Sequence, residues 1–366
     1  MSEKNIFYLD EVFPEADKVF STVYKSSQDI IKSGIIILDT NVLLIPYDTN
    51  EKNFIDIKHI LEKYKKENRL FIPARVAREF ANNRAKKIGD VFLKLRQLKE
   101  SFNSGNFKLS KYPILDNDES YLELKNEFES IQKSIKKSRE LIDNLESKIR
   151  SWNWDDNISL SYKEIFTSDI VIEVKKNKKD LEKDIKFRID YKVSPGFKDS
   201  NKPDDGIGDL VIWQTILEIA NDQGNDVIFV SNDQKNDWFY KQDKVGLYPK
   251  YELFDEFRRF TNGKSISIIN FIDFLTLSEA NDETIEEVKT TILENKNLAL
   301  RDKLYSHLKK FNSGMIINHA RFGKGKIINI KNSDTINMTL EIDFEEFGKK
   351  RLLARFANLD ILEYEN

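Results

Sequence analysis

The sequence predicts an α/β fold with a parallel sheet, interrupted by a helical hairpin and followed by a small SH3-like β-barrel. Three observations predict it. An apolar run closed by an acid, Ile35-Ile36-Ile37-Leu38-Asp39, is followed by a helix, a short strand and another helix, the βαβ order that yields a parallel sheet. That order then breaks off for a long charged stretch whose apolar residues recur at steps of four and three, the spacing of paired helices. Near the carboxyl end, short β-rich runs alternate with Gly, Asn and Asp turns.

Taken in order, Ile35 to Leu38 reads as a buried strand, and Asp39 stands where that strand meets the next turn and helix. Phe54 to Glu67 follows as a helix, Leu70-Phe71-Ile72-Pro73 as a strand closed by proline, and Ala74 to Arg84 as a second helix. The pattern resumes only with the helix Leu210 to Asn221 and the strand Asp226 to Val230, which Ser231-Asn232-Asp233 ends much as Asp39 ends the first. A strand over Ser265 to Ile269 and a helix starting at Asn270 complete the sheet.

The interruption, about residues 85 to 190, has a seam of its own. Phe128, Ile131, Ile135, Ser138, Ile142, Leu145, Ile149 and Trp152 form one arm, and Ile88, Val91, Leu95, Leu98 and Phe102 the other, with the turn at the loop containing Pro113. Two arms that shield each other's seam make an antiparallel hairpin projecting from the α/β body, which the sequence favours over a coiled coil awaiting a partner. Residues 279 to 310 are charged and helical without a strong apolar face and read as a linker, which divides the chain into an α/β domain over 1 to 278 and a barrel over 311 to 366.

Bulk composition narrows the chemistry. With no cysteine, disulfides, thiolate-bound metals and thiol catalysis are excluded. The three histidines, His59, His307 and His319, are too scattered for a histidine-rich metal site. The 59 Lys and Arg against 62 Asp and Glu leave a net charge of -3, so a polyanion would have to meet a local patch. The strongest such patch is Lys175-Lys176-Asn177-Lys178-Lys179, continued by Lys183, Lys186 and Arg188. No apolar run approaches the roughly 18 residues of a membrane span, and Met1-Ser2-Glu3-Lys4 has no leader character, so a soluble cytoplasmic protein is expected.

Ligands of open parallel sheets bind outside the carboxyl ends of the strands, where Asp39 and Asp233 stand. Glu79, on the helix after Pro73, and Asp209, at the start of the helix Gly208 to Trp213, come from adjoining helix starts, so one crevice can receive all four acids. Carboxylates crowded in a low-dielectric cleft repel one another, and a divalent cation removes that repulsion. An all-oxygen set suits one or two Mg²⁺ or Mn²⁺ ions rather than zinc. Each acid also has an ordinary role open to it: Asp209 as a first-turn helix acid, Glu79 as a partner of Arg75 or Arg78, Asp233 as a turn former. A dehalogenase-like phosphatase would need a second Asp two residues after the first, where Asn41 stands.

Leu38-Asp39-Thr40-Asn41-Val42-Leu43-Leu44, Ile72-Pro73 through Val76 to Glu79-Phe80, Gly208-Asp209-Leu210-Val211-Ile212-Trp213 and Phe229-Val230-Ser231-Asn232-Asp233 resemble the successive motifs of PIN-domain nucleases. Pro195-Gly196-Phe197-Lys198-Asp199, Lys202 and Asp233 through Lys235 to Asp237-Trp238 are similar to a bacterial PIN-like branch carrying a long helical insertion. The resemblance covers about residues 33 to 275. It implies a three-layer α/β/α fold and a metal-dependent endonuclease, RNA favoured, with Asp39, Glu79, Asp209 and Asp233 as metal-binding quartet and Asp205 and Asp237 as further ligands. Asn41 and Ser231 would orient water or ligand, and Lys202, Lys175, Lys176, Lys178 and Lys179 would contact phosphates. A DNA nuclease, and a non-catalytic scaffold or nucleic-acid-binding protein, are the alternatives. The combination of modules suggests a toxin or anti-phage role, and a homo-oligomer is compatible with it.

Gly314 to Ile327, with Ile342-Asp343-Phe344, Gly348-Lys349-Lys350 and Ala357-Asn358-Leu359, resembles the Tudor-like module of UvrD/PcrA-type helicases, which is associated with docking onto RNA polymerase. That resemblance implies a protein-docking module, with His319, Arg321 and Phe322 at its docking turn. Gly323 and Gly325 read as a tight barrel turn rather than a phosphate loop, since no helix follows them.

Overall fold

The computed structural model describes residues 5–102, 108–199, 206–233, 237–243, 245–333 and 337–364. Lys202 and Asp205 lie outside them. The chain divides into two compact units, Met1–Val288 and Lys289–Asn366.

In the first unit, two short helices, α1 (Tyr8–Val12) and α2 (Ser27–Ser33), precede β1 (Ile35–Leu38). The chain continues through α3 (Thr40–Leu43), α4 (Glu51–Lys66), β2 (Leu70–Pro73) and α5 (Ala74–Ser101), then α6 (Glu119–Ser151), α7 (Asn157–Ile165), β3 (Val171–Ile172) and α8 (Lys178–Tyr191). It is completed by α9 (Ile207–Gln223), β4 (Val227–Val230), the pair β5 (Phe239–Gln242) and β6 (Val245–Pro249), α10 (Tyr251–Phe260), β7 (Ile266–Ile269) and α11 (Phe271–Leu277). Asx and Ser residues cap many of these helices: Ser26, Asn50, Asp118, Asp156, Asn177 and Asn270 each accept a hydrogen bond from a backbone N–H in the first turn.

The sheet runs β3-β2-β1-β4-β7, and every pairing in it is parallel. β1, β2 and β4 are buried along their whole length, which is why they read as unbroken apolar runs rather than alternating ones. From β1 the chain winds outward to β2 and β3, and later adds β4 and β7 on the other side. The strand order therefore reverses between β1 and β4, and it is outside the carboxyl ends of strands at such a reversal that open α/β sheets bind their ligands.

Two features of the insertion differ from expectation. The helix after β2 does not stop at Arg84 but runs unbroken to Ser101, so one helix begins in the body and ends as an arm of the hairpin. The seam also drifts. Ile135 and Ile142 are buried, but Leu145 and Leu98 are exposed and Glu146 is buried instead, its carboxylate near Arg150 at 3.3 Å. A straight α-helix has 3.6 residues per turn and slips about 20° per heptad against a strict 3.5-residue repeat, which moves the buried position on by one. At the hairpin's base, the buried Arg84 is paired with Asp156, bonds Ser159 Oγ at 2.7 Å and lies over the Trp154 ring at 4.4 Å.

The two-residue β3 and the β5–β6 hairpin carry no clear sequence signal, the first because it is too short for periodicity, the second because its apolar side chains Val245, Leu247 and Tyr248 stand outward. No helix among the described residues is long and apolar enough to cross a membrane.

α12 (Asp282–Leu308) leads into the second unit, whose strands are β8 (Met315–His319), β9 (Gly323–Lys331), β10 (Thr339–Phe344), β11 (Gly348–Leu353) and β12 (Leu359–Tyr364). They pair antiparallel in the order β11-β10-β9-β8-β12, a small SH3-like barrel. Ile317, Ile327, Leu340, Ile342 and Phe344 fill its core, joined by Leu308 and Phe311. Gly325 is required there, because a Cβ would fall 2.7 Å from Phe344 Cδ1 and 3.0 Å from the Asp343 carbonyl.

Candidate active site

Asp39 follows β1 as the residue capping α3, half-buried at the switch point. Its backbone N–H donates to Val230 O at 3.0 Å, joining the end of β1 to the end of β4. The carboxylate is fixed on both oxygens. Oδ1 accepts the Thr40 N–H at 2.7 Å, while Oδ2 accepts the Ser231 hydroxyl at 2.6 Å and the Asn41 amide. Ser231 Oγ also accepts from Asn41 Nδ2 and from the Asp233 N–H, each at 3.1 Å, which uses its one donor and both acceptor positions. Asn41 Oδ1 accepts the Asn232 N–H and Asn232 Oδ1 accepts the Phe271 N–H, both at 2.9 Å. Asn41 and Ser231, expected to orient water or ligand, both hydrogen-bond the Asp39 carboxylate.

Glu79 reaches the same place from the second turn of α5. Oε2 accepts the Thr40 hydroxyl at 3.0 Å and Oε1 accepts Arg75 Nε at 2.7 Å. The Arg75 pairing open to Glu79 is thus made within the crevice itself, while Arg78 turns away to Glu173. The start of α9 lies against this pair: a Cβ on Gly208 would stand 2.9 Å from Arg75 Nη2 and 3.0 Å from Glu79 Oε1. Asp209 is the next residue, half-buried in the first turn. Burial first, then the negative charges of Asp233 and Glu79, push the Asp39 carboxyl up to about 6 against the opposing hydrogen bonds from Ser231 and Thr40. Thr40, Arg75 and Gly208 were not picked out as site residues from sequence. Their signals were adjacency to Asp39, a four-residue helical spacing to Glu79, and adjacency to Asp209.

Asp237 is fully buried and its Oδ2 accepts the Gly196 N–H at 3.2 Å, tying the segment after β4 to the loop before α9. In the basic run, Lys175 is paired with Asp222 and Lys176 with Asp184 at 2.8 Å, whereas Lys178 and Lys179 stand exposed in the first turn of α8. In the barrel, His319 Nδ1 accepts the N–H groups of Arg321 and Phe322 at 3.0 and 3.2 Å, and its ring stacks on Phe322 with centroids 4.7 Å apart. The Arg321 guanidinium lies 5.6 Å from the same ring, so this trio is a turn packed onto the barrel.

Residues 35–253 match the family described as the PIN like domain, a span of more than half the chain, and the chain belongs to that family. Residues 314–360 match the PcrA/UvrD tudor domain, so the second unit is a tudor module. No curated protein matches the chain. A PIN-like domain points to nuclease activity, and such domains generally use divalent metal ions. Among the described residues no three acidic side chains stand close enough together to enclose an ion as they lie. The donors around Asp39 nonetheless fit one in kind: they are carboxylate and hydroxyl oxygens of a partly buried site, the set that hard divalent cations take.

Proposed function

We propose that the chain is a metal-dependent endonuclease, acting on RNA in preference to DNA, with Asp39, Glu79, Asp209 and Asp233 as its metal-binding residues. The observation that carries the reading is the half-buried Asp39 carboxylate at the β1–β4 switch point, held from both sides and facing the charges of Glu79 and Asp233. Mg²⁺ or Mn²⁺ held by these acids would supply a water acidic enough to attack at neutral pH and positive charge for the phosphoryl oxygens. The chain's own residues do the positioning. Ser231 and Asn41 hold Asp39 in one rotamer, and Thr40 and Arg75 hold Glu79 beside it. Attack by water leaves a 5′-phosphate and a 3′-hydroxyl. The preference for RNA rests on likeness to PIN nucleases. The tudor module is read as a protein-docking element, with RNA polymerase as the partner its likeness suggests.

Incubating the full chain with panels of RNA and DNA and each metal tests the reading. Asp39→Asn and Asp209→Asn should each abolish cleavage with the melting profile preserved; activity persisting in both would reject the site. A toxin or anti-phage role predicts that expression of the intact chain, but not of Asp39→Asn, alters growth or phage propagation. Identical behaviour of the two strains would remove it.

A further inference from the structure

We propose that the β5–β6 hairpin is a stacking platform that grips single-stranded nucleic acid beside the acidic crevice, an inference that rests on the nuclease reading above. Tyr240 and Tyr248 face each other across the two strands, their rings parallel within 9° and 5.5 Å apart, and both are about half exposed. Val245 and Leu247 on the same hairpin are also exposed. Among the described residues these strands pair only with each other, and an isolated two-stranded hairpin is marginal in water. Its anchorage is at the base, where buried Trp238 packs on Trp213 and Phe229 with centroids 5.9 and 5.4 Å apart and Trp238 O accepts the Lys250 N–H at 2.9 Å. The outer rings therefore leave flat π-faces in water that the core does not use.

Position and charge select the occupant. Tyr240 is seven residues beyond Asp233, so the extended chain places it within about 25 Å of that acid. The base is joined to the loop leading toward Asp209 twice, by Lys250 over the Phe197 ring at 4.7 Å and by Asp237 on the Gly196 N–H. A centre built of carboxylates repels a polyanion, so the substrate must be held from outside it; Lys241 follows Tyr240 directly, with Asp243 at the turn beyond, while Lys250 is paired with Glu252 at the base. Aromatic rings beside lysines hold unpaired bases with little regard to sequence, whereas the bases of a duplex are already stacked.

The test is fluorescence anisotropy with a short labelled single strand, RNA or DNA, and its duplex, on the full chain carrying Asp39→Asn so that nothing is cut. Adding Tyr240→Ala and Tyr248→Ala together should weaken single-strand binding by about 5- to 150-fold per ring and leave duplex binding as it was. The corresponding Phe replacements should retain it, with circular dichroism confirming the fold of each variant. Unchanged single-strand binding in the Ala pair, or no binding by the Asp39→Asn chain at all, overturns the platform. If the Ala pair binds normally while Asp39→Asn still abolishes cleavage, the platform alone falls. If the tyrosines govern binding but no nucleic acid is ever cut, the nuclease reading falls instead. A shift in light-scattering mass with binding unaltered reassigns the hairpin to contact between copies of this chain.

Discussion

A methyl group at position 208 would crowd both Arg75 Nη2 and Glu79 Oε1, although Ala in a helix is about 1 kcal/mol more favourable than Gly. The helix thus carries glycine where propensity alone would choose otherwise. Gly208→Ala should leave the melting temperature unchanged or raise it, while cleavage falls by about tenfold or more, the scale that small misplacements in a catalytic site produce. Melting and cleavage measured on one preparation decide the matter, and a fully active variant would show that the Arg75–Glu79 geometry is not critical. Asp39 was legible in the sequence because a strand end is written locally, in an apolar run and the acid that stops it. The places of Asn41 and Ser231 at strand exits were legible for the same reason. The Thr40–Glu79 bond, 39 residues apart in sequence, was not, because nothing local specifies which hydroxyl meets which acid. The bond from the Gly196 N–H to Asp237, 41 residues apart, was not legible for the same reason.

At the scale of elements, α5 links Glu79 in its second turn to the hairpin arm at its far end, and Arg84 between them is buried against Asp156. Burial raises the Asp156 carboxyl, but the Ser159 N–H and the Arg84 guanidinium outweigh it and hold the group below the ordinary carboxylate range. A depressed carboxyl contributes stability that is fully present above its unfolded value, roughly pH 4, and is lost as pH falls through the folded one. Acid titration of stability should therefore fall more steeply below about pH 4 in the wild type than in Asp156→Asn. That variant should also cost about 3–5 kcal/mol near neutrality, because it leaves Arg84 buried without its counter-charge. Parallel acid limbs for the two proteins would show that the pair does not carry the effect. The hairpin itself was readable from its spacing, but the outward turn of Leu98 and Leu145 was not, since a 3.5-residue template cannot register the drift of a straight helix.

The whole chain holds two compact units, each with a core of its own. Calorimetry on the full chain should resolve two transitions, and Ile342→Ala, fully buried in the barrel, should lower only one of them by about 2–5 kcal/mol. A single transition displaced as a whole would mean that the units unfold together. Both units were visible in the sequence as a change of period, from helical spacing to short strands between turns. The side-chain chain from Asn41 to Asn232 to Phe271 has a separate consequence along the sheet. It laces together the segments leaving β1, β4 and β7, three adjacent strands, and extends to β7 the tie that the Ser231 hydroxyl and Asp39 already make between β1 and β4. The amide protons of Asn232 and Phe271, although outside any strand, should exchange with solvent as slowly as those within β4. Replacing Asn41 with Ala should release the Asn232 proton first, a fraying of the sheet's upper margin that exchange spectroscopy would record residue by residue and that equal rates in both proteins would refute.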